Sequence, residues 1–181
     1  MMTYQELIEK YYPADTLRRA IYLKHCRAVA DLALEIARDK DLSLDEDDIE
    51  DAAMLHDIGI FLTDAPSIDC HGTEPYIRHG LLGAELLRRE GMPEIFAHVA
   101  ERHTGTGITR EEIEAQHLPL PEGDYMPETL LERLVCYADK FYSKSGDMKR
   151  KSFDKVVASM ERHSEATKER FLTLSREFGV Y

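Results

Sequence analysis

The period of an α-helix runs through almost the whole chain, and nothing else in the sequence limits its fold as strongly. Apolar residues recur three and four positions apart in one segment after another, and no run alternates as a half-buried strand does. Such stripes are buried only by packing helix on helix, so an all-α helical bundle is expected. At 181 residues the chain is long enough for one domain with a substantial core and short for two. No linker or internal repeat divides it, so residues 1–181 are read as a single domain.

Capping and breaker residues place the helices. Thr3 and Glu6 form a capping box for a first helix that ends near Tyr12 and Pro13, and a second starts after Asp15 or Thr16 and runs to about Lys40. The acidic stretch "SLDEDDIED" opens a third helix with carboxylates at its positive end, and Gly59 closes it. Pro75 suits the first turn of a fourth helix, which Gly91 stops. A fifth runs from about Pro93 to the break at Gly105 and Gly107, and a small one from Thr109 to about His117 precedes the connector "LPLPEGDYMPE". The next helix carries Leu131, Leu134, Val135, Ala138 and Tyr142, and after a basic turn one amphipathic helix is expected from Ser152 to about Phe178.

A formal net charge of -12 argues against nonspecific binding to nucleic-acid polymers or anionic membranes, which need a large basic surface. No apolar run approaches the roughly 18 residues of a membrane span. The start, "MMTYQELIEK", lacks the basic and then apolar pattern of a secretory signal, so a cytoplasmic protein is expected. Cys26, Cys70 and Cys136 are odd in number and lie outside any C-x-x-C pattern, which suits reduced, buried thiols rather than a disulfide framework or a zinc ribbon.

Against this ordinary background the polar residues on the apolar faces stand out. His25 shares a stripe with Ile21, Ala28, Val29, Leu32 and Ile36. His56 lies with Ile49, Ala52 and Ala53, and Asp57 at its edge, inside the apolar run "AAMLHDIGIFL". His79 aligns with Tyr76, Leu82, Gly83 and Leu86; His103 with Ile95, Phe96, Val99 and Ala100; Asp139 borders the stripe of Leu131 to Tyr142. One histidine on such a face is ordinarily a hydrogen-bonded core residue. Six imidazole and carboxylate groups aimed at one interior are costly unless a cation organises them, because half-satisfied buried networks destabilise. Four neutral imidazoles and two carboxylates bring a charge of about -2, which two divalent ions exceed.

The succession of His25, "HD" at His56 and Asp57 within "LHDIG", and Asp139 within "YADK" resembles the metal-dependent HD phosphohydrolase superfamily. The likeness covers about Leu23 to Tyr142. The stretches "RHGLLGAELL" around His79 and "ERHTGTG" around His103 are similar to the two extra histidines of its dinuclear members, among them the bacterial symmetrical diadenosine tetraphosphate hydrolases. The resemblance implies an HD-type bundle whose metal-binding core is about residues 20–145. In it His25, His56, Asp57 and Asp139 hold one metal, and Asp57 bridges to a second held by His79 and His103. A bridging carboxylate can hold two ions about 3.5 to 4 Å apart, which activate a shared water as nucleophile. Mixed imidazole and carboxylate ligation suits iron or manganese first, with Co, Zn, Ni or Mg as alternatives. The segment from Ile108 to Glu128 is longer than expected in the diadenosine-type relatives, which bears on the substrate more than on the metals.

The expected activity is hydrolysis of a nucleotide, a dinucleotide or another small phosphate ester, with a dinuclear iron oxygenase or a mononuclear 5'-nucleotidase as alternatives. Beyond the metals, Lys140 is a candidate phosphate clamp by resemblance, and His71 a candidate proton donor to the leaving group. Thr104 and Arg102 are candidate substrate contacts, while His98, His117 and His163 read as surface. The small phosphorylated substrate is the partner expected, and a homodimer stays open.

Overall fold

Thr3 and Glu6 close the reciprocal capping box that the sequence announces, and α1 (Tyr4–Tyr11) follows it in the computed structural model, which describes residues 2–181. The long α2 (Leu17–Asp39) starts at Thr16, whose side chain accepts the Arg19 amide. Asp45 caps α3 (Glu46–Leu55), and its first turn carries Glu46, Asp47 and Asp48 at the positive end of the helix. Then come α4 (His79–Arg89), α5 (Glu94–Arg102), α6 (Arg110–Gln116), α7 (Leu130–Asp139), α8 (Phe153–His163) and α9 (Glu165–Phe178).

The fold is all-α, as the periodicity requires. Between α3 and α4 the chain adds only a hairpin of two-residue strands, β1 (Asp64–Ala65) and β2 (Cys70–His71), and short 3₁₀ turns. Several boundaries differ from expectation, among them α4, which starts at His79 after a 3₁₀ turn at Tyr76–Arg78, and α7, which ends at Asp139 before Tyr142. The third helix ends at Leu55, before Gly59, so that His56 and Asp57 sit on the turn that leaves it. The closing helix is two helices, because Ser164 is extended (φ -170°, ψ 159°) and its hydroxyl accepts the Thr167 amide as the N-cap of α9. The break lets α8 fold back on α9, so that Val156 and Met160 are buried along with Phe171, Leu174 and Phe178.

The interior that positions the site is made where α2 packs on α3 and α7, while α5 packs on α3, α4 and α7. Two tyrosines fix the end of α3 from outside it. Tyr22 donates its hydroxyl to the Met54 carbonyl at 2.5 Å and Tyr12 donates to the Ile58 carbonyl at 3.0 Å. They satisfy carbonyls that the helix end leaves without a partner. Gly59 lets α4 approach this turn: a Cβ there would collide with the His79 carbonyl and lie 2.5 Å from the Gly83 nitrogen. Gly80 does the same for α4 and α5, where a Cβ would lie 2.5 Å from the Ala100 carbonyl oxygen.

Candidate metal centre

Four of the candidate residues come from two different helices and one turn to meet at a point. Nε2 of His25, from the middle of α2, is 3.2 Å from Asp57 Oδ2 and 3.0 Å from Asp139 Oδ1. Nε2 of His56 is 3.1 Å from the same Asp57 oxygen and 3.5 Å from the same Asp139 oxygen. The other oxygen of Asp57 faces elsewhere: Oδ1 is 3.4 Å from His79 Nε2 and 3.3 Å from His103 Nε2. Asp57 therefore splits its carboxylate between two clusters, His25–His56–Asp57–Asp139 and Asp57–His79–His103, each compact enough to hold a metal ion. All six residues are buried.

The helices also set the tautomers. Nδ1 of His56 lies 2.6 Å from the Ala53 carbonyl, Nδ1 of His79 2.7 Å from the Tyr76 carbonyl, and Nδ1 of His103 2.7 Å from the Ala100 carbonyl. A carbonyl only accepts, so in each neutral ring the proton sits on Nδ1 and the Nε2 lone pair points into the site. His79 and His103 then face each other through two lone pairs 3.0 Å apart. That contact is repulsive unless a cation or a proton lies between them. Both oxygens of Asp57, Nε2 of His56 and both ring nitrogens of His25 are buried without an aligned hydrogen-bond partner among the described residues. Buried polar groups are rarely left so. The donor set of imidazole nitrogens and carboxylate oxygens fits a divalent transition metal, and His56, His79 and His103 have the backbone supports common to metal-ligating histidines.

Electrostatics keep the two clusters distinct. Burial drives the His79 pKa down to about 3, and burial lowers His103 as well, so both stay neutral and able to ligate. Burial opposes charge on His56 too, but the Asp57 carboxylate beside it outweighs this and raises its pKa. Asp57 and Asp139 are held well below the usual carboxylate range against the cost of burial, Asp57 chiefly by His56 and Lys144, Asp139 chiefly by Lys140.

The remaining candidates are placed unequally. Lys140 is buried, and its ammonium donates to the His103 carbonyl at 2.9 Å and to Asp139 Oδ2 at 2.7 Å. It holds the carboxylate whose other oxygen faces the four-residue cluster. Thr104 lines a side cavity of about 220 Å³, shared with Glu112 and Arg170. The structure does not bring Arg102 or His71 to the clusters. The Arg102 guanidinium pairs with Glu132 and Glu128, each at 3.0 Å, because the residue before His103 on α5 points about 100° away from it. His71 is 63% exposed on β2 and pairs with Asp69 at 3.1 Å.

Two residues of the site were not singled out from the sequence for it. Lys144, on the connection after α7, places Nζ 2.6 Å from Asp57 Oδ2. Tyr76 stacks on the His79 ring, with centroids 4.6 Å apart and 25° between planes. Lys144 follows Asp139 by five positions in an aperiodic segment, so helical spacing carried no signal for it. A cavity of about 660 Å³ opens beside the clusters, with Asp139, Lys140, Lys144, Lys151 and Tyr76 in its wall and His163, read as surface, at its exposed edge. Its volume is in the range of small-molecule sites.

Comparison with known proteins places this geometry. The HD domain family matches residues 22–143, more than half of the chain. An uncharacterized protein of Methanocaldococcus jannaschii, MJ0778, is 39% identical over 143 residues, 77% of this chain and 75% of that protein. A protein of Thermoplasma volcanium named tRNA (cytidine(56)-2'-O)-methyltransferase is 36% identical over 152 residues, 84% of this chain but 38% of that protein. Its namesake in Picrophilus torridus is 36% identical over 123 residues, 68% of this chain and 32% of that protein. The chain thus spans about a third of the length of either methyltransferase-named relative. Among solved structures, the HD domain of the Listeria monocytogenes phosphodiesterase PgpH superposes with a TM-score of 0.58 at 18% identity, covering 94% of this chain and 85% of that one. At that identity the likeness shows the fold.

Proposed function

The chain belongs to the HD domain family, and on that premise we propose that it is a metal-dependent phosphohydrolase acting on a small phosphate ester or phosphoanhydride. The observation that carries the reading is the divided carboxylate of Asp57, which offers one oxygen to each cluster. His25, His56, Asp57 and Asp139 would hold one divalent ion, and Asp57, His79 and His103 a second. Iron or manganese is the first choice, with Co, Zn, Ni or Mg as alternatives. When bound, such a pair supplies an acidified water and positive charge for the phosphoryl oxygens.

The residues of the chain do the rest. The Nδ1 protons of His56, His79 and His103 are committed to backbone carbonyls, so Nε2 of each ring is aimed into the site before any ion arrives. Lys140 fixes one oxygen of Asp139 and leaves the other directed inward. Apolar walls from α2, α3, α5 and α7 keep bulk water from the ligands, which strengthens every charge interaction among them. The cavity of about 660 Å³ beside the clusters has room for a nucleotide-sized substrate, and the three lysines in its wall favour an anion in a chain that is acidic overall. A nucleotide or dinucleotide is the substrate class proposed, with diadenosine tetraphosphate the first member to assay.

The test is metal content of protein purified anaerobically without chelator, then phosphate release from nucleotides and dinucleoside polyphosphates on the same sample. About two ions per chain with release, and no turnover by Asp57→Asn, is the expected result. A single ion with release would replace the reading by a mononuclear nucleotidase. Two irons without release would replace it by an oxygenase.

A further inference from the structure

Lys144 occupies an unusual position for a cation in a site built for cations. It lies on the segment between α7 and α8, and its Nζ is 2.6 Å from Asp57 Oδ2, the same oxygen that His25 and His56 face at 3.2 and 3.1 Å. The contact is an ion pair at hydrogen-bond distance, although no donor among the described residues is in hydrogen-bond alignment with Oδ2. The ammonium also sits 5.9 Å from the centre of the Tyr76 ring, at the cavity side of the clusters. Neighbouring lysines differ in this respect. Lys140 is bonded to His103 and Asp139, and Lys151 donates to the Lys140 carbonyl at 3.3 Å.

We propose that Lys144 is an exchangeable counter-ion: it neutralises Asp57 when no divalent ion does, and turns into the cavity to contact a phosphoryl oxygen of the substrate when one is bound. A divalent ion at the four-residue cluster needs Asp57 Oδ2, and it repels an ammonium held on that oxygen. The side chain has somewhere to go. Lys144 lines the cavity itself, together with Ser143, Ser145 and Lys151. Tyr76 offers its ring face to the departing cation. The withdrawn ammonium then stands beside the clusters on the side from which an anionic substrate enters. The part concerning the phosphoryl oxygen rests on the phosphohydrolase reading, and the exchange with the metal does not.

Two titrations separate these parts. Mn²⁺ is titrated calorimetrically into chelator-treated wild type, Lys144→Gln and Lys144→Arg, and inorganic phosphate is then titrated into each Mn²⁺-loaded protein. Removing an internal competitor raises apparent affinity by the fraction it had blocked, so Lys144→Gln is expected to bind its first Mn²⁺ about tenfold more tightly than wild type. Lys144→Arg, which keeps the charge and the neutralisation of Asp57, is expected to bind Mn²⁺ as wild type does. Phosphate is expected to bind loaded Lys144→Gln about tenfold more weakly. Equal Mn²⁺ affinity in wild type and Lys144→Gln overturns the exchange, and equal phosphate affinity overturns the anion contact. If the loaded wild type hydrolyses no phosphate ester while Lys144→Gln still binds Mn²⁺ more tightly, the phosphohydrolase reading fails and the exchange stands.

Discussion

Gly59→Ala probes how the two clusters are held together, because one methyl group there falls between the turn that carries Asp57 and the helix that carries His79. Gly59 has φ -86° and ψ -3°, a conformation any residue adopts. Alanine therefore meets no backbone strain, and by narrowing the unfolded ensemble alone it would stabilise the protein by about 0.4–1 kcal/mol. The structure predicts the opposite sign. The added Cβ would collide with the His79 carbonyl, and it would lie 2.5 Å from the Gly83 nitrogen and 2.9 Å from its Cα. Ordinary contacts are about 3.5–4.0 Å, so the overlap is roughly 1 Å. These are backbone atoms, and no rotamer change relieves them; α4 must retreat from the turn. Overpacking of this kind costs about 1–3 kcal/mol, and after the entropic gain a net loss near ~1.5 kcal/mol lowers Tm by roughly 3–6 °C for a chain of this size. The same retreat moves His79 Nε2 away from Asp57 Oδ1, now 3.4 Å apart, while the four-residue cluster takes no ligand from α4. Differential scanning fluorimetry and Mn²⁺ stoichiometry are the assays, with two bound ions expected to fall to one. A variant that melts at or above wild type with two ions bound would refute the close approach and the coupling drawn from it.

Two further expectations concern groups that are not candidate ligands. Cys26, Cys70 and Cys136 are fully buried, and burial pushes all three thiols up, Cys70 and Cys136 to about 11. At pH 8 about one in a thousand of the Cys70 and Cys136 thiols is ionised, and Cys26 is fully buried, so a disulfide reagent should label none within minutes in the native protein and all three after denaturation; one fast equivalent would contradict the packing. Glu132 is 2% exposed, and although burial opposes its charge, the Glu128 amide, Arg102 and the Thr129 hydroxyl hold its carboxyl below the usual value. A depressed carboxyl pKa contributes stability above its unfolded value, near ~4.3, and loses it as pH falls through the folded value. Urea unfolding of chelator-treated protein should show Glu132→Gln less stable than wild type by about 1.5–3 kcal/mol at pH 7, with the gap narrowing below pH ~4; a constant gap would assign the loss to packing rather than to charge.

What could be read from the sequence follows a physical division. The helices announced themselves because burying one face imposes a period on the residues, and each of the six candidate ligands was visible because it interrupts an apolar stripe with a group that needs a partner. The same logic failed at Ser164. A serine within an amphipathic run reads equally well as an exposed helical residue and as an N-cap, and only the return of α8 onto α9 decides between them. It failed again at Arg102 and His71, where adjacency to a candidate ligand or loop position suggested a role and the rotation of the chain turned the side chain elsewhere. Lys144 was invisible for the converse reason. Its place beside Asp57 is fixed by where α7 ends and α8 begins, and no period in residues 140–152 records it.

The ligand set and the substrate contacts therefore belong to different kinds of information. The candidate ligands stand on or at the ends of helices, whose mutual packing positions them, and the pattern that buries those helices also exposes these residues to inspection. The cavity wall comes in large part from connections, residues 64–68 and 142–151, that no period constrains. On the phosphohydrolase reading, a change in those segments alters which phosphate ester fits while leaving every imidazole in place. The candidate metal ligands of this chain are accordingly written in its helices and their ends, and the wall of the cavity beside them in the segments between.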